Sequence, residues 1–321
     1  MIFEKKIIGA YKSVFDKRTD DTGAVHYFTH LDFEGLCTCP YGFLGAHGQK
    51  LVGAFYYYGE FTSDRIIIFE HGMGGGHLSY MKEIELLCRH GYTVLSYDHT
   101  GCMKSEGDGT GGFAESLSNL DSLIKSLKAS DSFKNASLSV IGHSWGGFST
   151  LNISGIHKDI THVVALAGFI SVKTVLNQFF SGPLRLYVPK IMRIERERNP
   201  QFCDTDAVLS LKSSNTKALI IQSRDDKTVS YKKNFAVLEE ALRDRPDTHF
   251  IALDGHGHNP NYTPDAVKYK DEFFKKLTEF LKSPGAADQQ AQRTFKESFD
   301  FERMTAQDKD LWNIIFDFLD N

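Results

Sequence analysis

The stretch that most constrains this chain is Leu138 to Phe148, LSVIGHSWGGF. An apolar run from Leu138 to Ile141, broken only by Ser139, stops at Gly142; His143, Ser144, Trp145, Gly146 and Gly147 then lead into a segment of helical character. This order predicts a strand, a very tight turn and a helix. Glycines two before and two after Ser144 suit such a turn, because a Cβ there collides where strand and helix pass close together. A serine at the apex projects its hydroxyl off the end of a sheet, above a helix N-terminus and free backbone N–H groups that stabilise developing negative charge. Ser144 is the candidate nucleophile. The alternative is a glycine-rich turn without chemistry, and the choice rests on whether a base, an acid and an oxyanion donor stand at the ends of other strands.

The surrounding sequence alternates strands and helices. Val25 to Phe33 and Leu51 to Tyr58 are rich in Val, Phe and Tyr and predict antiparallel edge strands. Arg65 to Glu70 is almost continuously apolar, as expected of a strand buried on both faces, and runs directly into His71-Gly72-Met73-Gly74-Gly75-Gly76-His77. So glycine-rich a loop can turn its N–H groups toward one point, which makes the Met73 N–H a candidate oxyanion donor and leaves His71 and His77 structural. A helix from about Ser79 to His90 ends at Gly91, and Tyr92 to Tyr97 forms the next strand. Strand, helix, strand in this rhythm implies a parallel sheet with ligands at the carboxyl ends of the strands. Gly107 to Gly112 satisfies G-x-G-x-x-G, yet it does not follow a strand, and a helix from about Phe113 to Lys128 occupies the place of the required second strand. It is read as a loop beside the site.

After the strand His162 to Ala167 the rhythm breaks. Residues 169–214 carry scattered apolar side chains, Gly182-Pro183, Pro189 and the charge run Arg193 to Arg198, and are read as an inserted cap. Phe179, Phe180 and Tyr187 are candidates to line a substrate pocket, the alternative being that the apolar residues only pack the insertion onto the body. The charge run reads as a solvated helix face. Lys217 to Gln222 resumes the sheet and delivers Asp225 and Asp226 just past a strand end; a helix from Tyr231 to Arg243 and a strand from His249 to Leu253 follow. The next loop, Asp254-Gly255-His256-Gly257-His258-Asn259-Pro260, brings histidine to the same edge as Ser144.

Composition excludes several classes. A formal net charge of −4 without a basic stripe argues against nucleic acid or an anionic membrane surface as partner. No segment approaches roughly 18 consecutive apolar residues and the N-terminus lacks an apolar core of signal-peptide length, so a cytoplasmic location is expected. Five cysteines, an odd number without framework spacing, read as reduced thiols, and Cys37-x-Cys39 lacks a second ligand pair for a metal.

HGMGGG, GHSWGG, SRDDKTV and DGHGHN, in that order, resemble the α/β-hydrolase fold over about Val25 to Leu281, closest to its serine aminopeptidase and carboxylesterase-like branch. The resemblance implies an α/β chain with a mostly parallel central sheet flanked by helices and a cap insertion after the sixth strand. It assigns Ser144 as nucleophile, His258 as base and Asp226 as its orienting acid, with the Met73 and Trp145 N–H groups as oxyanion hole. Asp226 fits better than Asp225 because Val229 follows three residues later, and His258 fits better than His256. No metal or organic cofactor is required. The implied activity is hydrolysis of a small-molecule carboxylic ester through an acyl-enzyme; an aminopeptidase or amidase, with Glu195 or Glu197 anchoring a substrate amine, and a noncatalytic ligand-binding homologue are the alternatives.

The domain is expected to span 1–282. Beyond it, 283–321 reads as a polar linker and a final amphipathic helix, capped by Thr305, whose stripe is Leu311, Ile314, Ile315, Phe318 and Leu319 with Trp312 and Phe316 beside it. That helix is expected to dock on its own domain, with a homodimer contact or a lid as alternatives.

Overall fold

The structure is a computed structural model that describes residues 2–321. From the N-terminus, α1 (Ile2–Phe15) precedes the hairpin β1 (Leu36–Leu44) and β2 (Lys50–Tyr58). Then β3 (Arg65–Glu70), α2 (Met81–Arg89), β4 (Thr93–Tyr97), α3 (Glu115–Ala129), β5 (Ser137–His143), α4 (Trp145–Ile153) and β6 (His162–Leu166) alternate. α5 (Val172–Phe179), α6 (Val188–Arg198) and α7 (Ala207–Lys212) intervene before β7 (Lys217–Ser223), α8 (Phe235–Ala241) and β8 (Thr248–Leu253). The last segments are α9 (Pro264–Phe280), α10 (Gln289–Glu297), the single turn α11 (Phe301–Met304) and α12 (Lys309–Asp320).

All strands join one sheet of eight, ordered β1-β2-β4-β3-β5-β6-β7-β8. β2 is antiparallel to both β1 and β4, and every other pairing is parallel. The apolar runs alternate between two cores. Ile66, Ile68, Val140, Val163 and Ile220 face α3 and α4 together with Tyr11 and Phe15 of α1. Ile67, Phe69, Ile141, Val164 and Ile221 face α2 and α12. Burial on both faces is why these strands read as unbroken hydrophobic runs.

Several expectations need correction. Val25 to Phe33 is not a strand; its end is a 3-10 turn, His30–Asp32, fixed by a capping box between Thr29 and Asp32. The partner of β2 is instead Leu36–Leu44, where Pro40 is tolerated because β1 is an edge strand. The region 283–303 is not an extended linker but holds α10 and α11, whose Phe295 and Phe301 pack with Phe273 of α9. The N-cap of α12 is Asp308 rather than Thr305; its carboxylate accepts from the Asp310 and Leu311 N–H groups at 3.0 and 3.1 Å. Leu311, Trp312, Ile315 and Leu319 bury against the sheet, so most of the stripe is covered by the chain's own core, while Ile314 stays exposed.

The helical segment after β6 lies where the sequence places an insertion. Its apolar side chains, Val175, Leu176, Ile191 and Met192, merge into the core on the α3 and α4 side. α7 already belongs to the body, where Ser210 Oγ donates to Asn152 Oδ1 of α4 at 3.2 Å. The charge run is not wholly solvated: Glu195 is fully buried, accepting from the Phe113 N–H at 3.0 Å and from the Tyr11 hydroxyl.

Candidate active site

β5 ends at His143 and α4 begins at Trp145, so a single residue, Ser144, makes the turn with φ +55° and ψ −108°. Positive φ is costly for a residue with a Cβ and marks a strained turn. The flanking glycines are required by space. A Cβ on Gly142 would lie 2.3 Å from the Gly146 carbonyl oxygen, and one on Gly146 would lie 2.2 Å from that of Glu70. The turn is held by Ser144 N–H donating to the Leu166 carbonyl at 2.8 Å and Phe148 N–H donating to that of Ser144 at 3.0 Å.

The loops after β7 and β8 bring two partners to this serine. His258 Nε2 is 2.8 Å from Ser144 Oγ, and His258 Nδ1 is 2.9 Å from Asp226 Oδ2. Asp226 is buried, and its other oxygen accepts from the Thr228 and Val229 N–H groups at 2.8 and 3.0 Å. Those amides and the Gln222 side chain fix the carboxylate facing the imidazole. Asp225 faces elsewhere, accepting from the Ser223 hydroxyl and the N–H groups of Gly255 and Gly257, and so pins the histidine loop. His256 is buried with Nδ1 2.7 Å from the Tyr262 carbonyl oxygen, away from Ser144 Oγ. Of each pair of alternatives, the structure brings Asp226 and His258 to Ser144.

Met73 lines the cavity in front of Ser144, and Trp145 supplies the first amide of α4. Among the described residues neither backbone N–H has an intramolecular acceptor, as expected for a helix start and an open glycine loop. The Trp145 indole is buried and donates to the Phe113 carbonyl at 2.7 Å, locking the start of α4. His71 and His77 support the loop. Burial lowers the His71 pKa to about 4, and its neutral ring accepts from the His99 N–H at 2.9 Å. His77 Nδ1 lies 2.7 Å from Asp98 Oδ1.

Two supporting residues escaped the sequence reading. The Gly72 N–H donates to Tyr80 Oη at 3.0 Å, Tyr80 Oη lies 2.8 Å from His143 Nδ1, and His143 Nε2 lies 2.7 Å from the His258 carbonyl oxygen. These contacts fix one tautomer: Nε2–H donates to the carbonyl and Nδ1 accepts from the tyrosine. Burial holds the His143 pKa well below the ordinary histidine value, so the ring stays neutral. The relay ties the Gly72 loop, the Ser144 turn and the His258 loop into one unit. His143 was visible as part of the motif, but its partner Tyr80 lies 63 residues away and carries no local signal.

The cavity at Ser144 has a volume of about 260 Å³. Beside Ser144 and His258 its wall includes Met73, Tyr80, Lys270 and Phe274. None of Phe179, Phe180 and Tyr187 lines it. Phe179 is half exposed and stacks with Phe113 at 6.3 Å, while Phe180 packs against the core. One side of the wall is contributed instead by α9, through Lys270, Asp271 and Phe274. Glu195 and Glu197 are also absent from it: Glu195 is buried under Tyr11, and Glu197 pairs with Arg193 at 3.0 Å. Among the described residues no group of three or more His, Cys, Asp or Glu side chains is arranged to hold a metal, and no helix is long and apolar enough to cross a membrane.

Residues 62–206 match the family described as serine aminopeptidase, S33. A search of curated proteins found no match. Among solved structures, the Pyrococcus furiosus esterase Pf2001 is similar with a TM-score of 0.59 and 22% identity, over 83% of this chain and 98% of that one. The α/β hydrolase GrgF from Penicillium sp. sh18 is similar with a TM-score of 0.54 and 15% identity, over 77% of this chain and 98% of the other. An acylaminoacyl peptidase in complex with Z-Gly-Gly-Phe-chloromethyl ketone has a TM-score of 0.55 and 17% identity, over 78% of this chain and 42% of that one. With its eight-stranded, mostly parallel sheet and its serine at the turn after β5, the chain is an α/β-hydrolase-fold protein.

Proposed function

We propose that this protein is a serine hydrolase that cleaves carboxylic esters through an acyl-enzyme. The observation that carries this reading is the hydrogen-bonded series Ser144 Oγ, His258, Asp226, with distances of 2.8 and 2.9 Å. Ser144 Oγ attacks the acyl carbon as its proton passes to His258 Nε2. Asp226 stays ionised and stabilises the imidazolium. The Met73 and Trp145 N–H groups receive the oxyanion, each donor contributing on the order of 3 kcal/mol. Collapse expels the alcohol, protonated by His258; water then gives a proton to the same nitrogen, attacks the acyl-enzyme and releases the acid and Ser144. A cavity of about 260 Å³ suits a small-molecule substrate, and five free thiols suit a reducing compartment such as the cytoplasm.

Amide cleavage is the second reading, favoured by the match of 62–206 to the serine aminopeptidase family. The test is labelling with a fluorophosphonate, followed by turnover of 4-nitrophenyl esters and aminoacyl 4-nitroanilides. Labelling should occur at Ser144, vanish in Ser144→Ala, and be accompanied by ester turnover that Ser144→Ala lowers by at least about 10³-fold. Folded protein that neither labels nor turns over would sink the enzyme reading in favour of a noncatalytic ligand-binding protein. Faster anilide than ester turnover would select the amidase.

A further inference from the structure

The wall that α9 gives to the Ser144 cavity has an unusual charge. Lys270, Asp271 and Phe274 all line it. Asp271 and Phe274 are exposed, and Lys270 is half-buried. Several lysines have carboxylate partners, among them Lys82 with Glu302, Lys128 with Asp159 and Lys276 with Glu272. Lys270 has none within ion-pair distance among the described residues, and its ammonium has no hydrogen-bond acceptor. It rests instead over the Tyr262 ring, 4.5 Å from the centroid, and 6.0 Å from that of Phe274.

Two carboxyl groups act on it from beyond ion-pair distance, the exposed Asp271 of the same wall and the buried Glu83 of α2. Glu83 Oε1 accepts from Asn261 Nδ2 at 3.0 Å, and burial pushes its pKa above the usual carboxylate range. Lys270 is thus a cation partly withdrawn from water with no carboxylate in direct contact, since Glu83 and the exposed Asp271 act on it only from beyond ion-pair distance, an arrangement that costs free energy until an anion arrives. Burial lowers its pKa to about 8, which leaves it mainly charged at neutral pH. A compact ammonium on a flexible stem recognises a carboxylate without demanding one geometry.

We propose that Lys270 is a specificity residue, and that the substrate of the Ser144 site carries a carboxylate close to the scissile ester. This rests on the serine-hydrolase reading above. A half-ester of a dicarboxylic acid places the charge on the acyl side, and an ester of a hydroxy acid or hydroxybenzoate places it on the leaving group. Tyr262 and Phe274 hold the ammonium by cation–π contact, and the substrate carboxylate completes the site.

The test compares kcat/KM for mono-4-nitrophenyl glutarate with 4-nitrophenyl butyrate, and for 4-butyryloxybenzoate with phenyl butyrate, in wild type and Lys270→Met. One of the two anionic esters should be preferred by the wild type, and that preference should fall at least about tenfold in Lys270→Met, mainly through KM, with Lys270→Arg restoring most of it. Lys268→Met, an exposed position of the same helix outside the cavity, should leave the preference as in wild type. An unchanged ratio in Lys270→Met, or a wild-type preference for cationic aminoacyl esters, would overturn the proposal. Protection of Ser144 from fluorophosphonate by free glutarate supplies a readout that needs no turnover: it should be present in wild type and lost in Lys270→Met or Lys270→Gln, and its absence in wild type counts against the proposal. Failure of Ser144 to label at all defeats the serine-hydrolase reading itself, whereas labelling without a Lys270 effect defeats only the carboxylate site.

Discussion

Two helical segments flank the edge of the sheet that carries Ser144, and they exchange the roles their compositions suggest. The segment between β6 and β7 is studded with apolar side chains, yet these are absorbed into the core. The segment from α9 onward is rich in charge, yet it both covers the sheet, through α12, and builds the cavity wall, through Lys270, Asp271 and Phe274. Apolar residues go first where the most area can be removed from water, which is the sheet. A cavity wall is left to the face of a helix that packing does not claim. α9 spends Phe273 and Leu277 on α10 and α11, and its adjoining face is what Ser144 meets.

The contrast can be broken most severely by deleting 283–321. If these residues complete the core, the shortened chain should fail to fold, seen as aggregation or loss of cooperative thermal unfolding; if they are an appendage, it should unfold like the parent. On a finer scale, Trp312→Ala removes a buried ring from the core that α2, α12 and the sheet share and should cost about 3–5 kcal/mol in urea unfolding.

Glu70, beneath the Ser144 turn, tests the ground common to both segments. It is fully buried, accepts from Ser149 Oγ at 3.0 Å, and burial raises its pKa to about 8. The folded protein therefore keeps a proton that the unfolded chain loses near the usual glutamate value of about 4.3. Stability should fall as pH rises from about 4.3 to about 8, by up to about 1.4 kcal/mol per pH unit from this group. Glu70→Gln cannot ionise and should flatten that slope relative to wild type in urea titrations at pH 5, 6, 7 and 8. A slope identical in the two proteins would mean the carboxyl is charged in the fold. The smallest effect concerns the walls themselves. Phe274→Ala should lower kcat/KM for butyrate esters by about tenfold and Phe179→Ala by less than about twofold. The reverse order would return the pocket to the insertion.

The turn at Ser144 was legible in sequence because its constraints are local: Gly142 and Gly146 are demanded by carbonyl oxygens within a few residues or on the neighbouring strand. The parallel strands were legible for a similar reason, since burial on both faces leaves an unbroken apolar run. α1 did carry a signal, Ile7, Tyr11 and Phe15 at helical spacing, that the eye passes over beside its many charged neighbours. Residues 25–33 misled because their aromatics are used in loop packing, while Thr29 and Asp32, three apart, were the mark of a turn. Tyr80, Lys270 and the cavity wall were not legible, because each acquires its part only through contacts with distant segments. In α10 the one large apolar side chain, Phe295, stacks on Phe280 at 4.5 Å, too sparse a pattern to announce a packed helix.

The position of α12 bears on how the protein is made. Ile67, Phe69, Ile141, Val164 and Ile221 share a face with Leu311, Trp312, Ile315 and Leu319. All of the strands on that face are synthesised well before the helix that covers them. At translation speeds of about 5–20 residues per second, an apolar strip of parallel sheet stands open for several seconds at the ribosome after β7 emerges. Such a surface is what holding chaperones bind, so the yield of this protein in a cell should depend on them more than its final stability suggests.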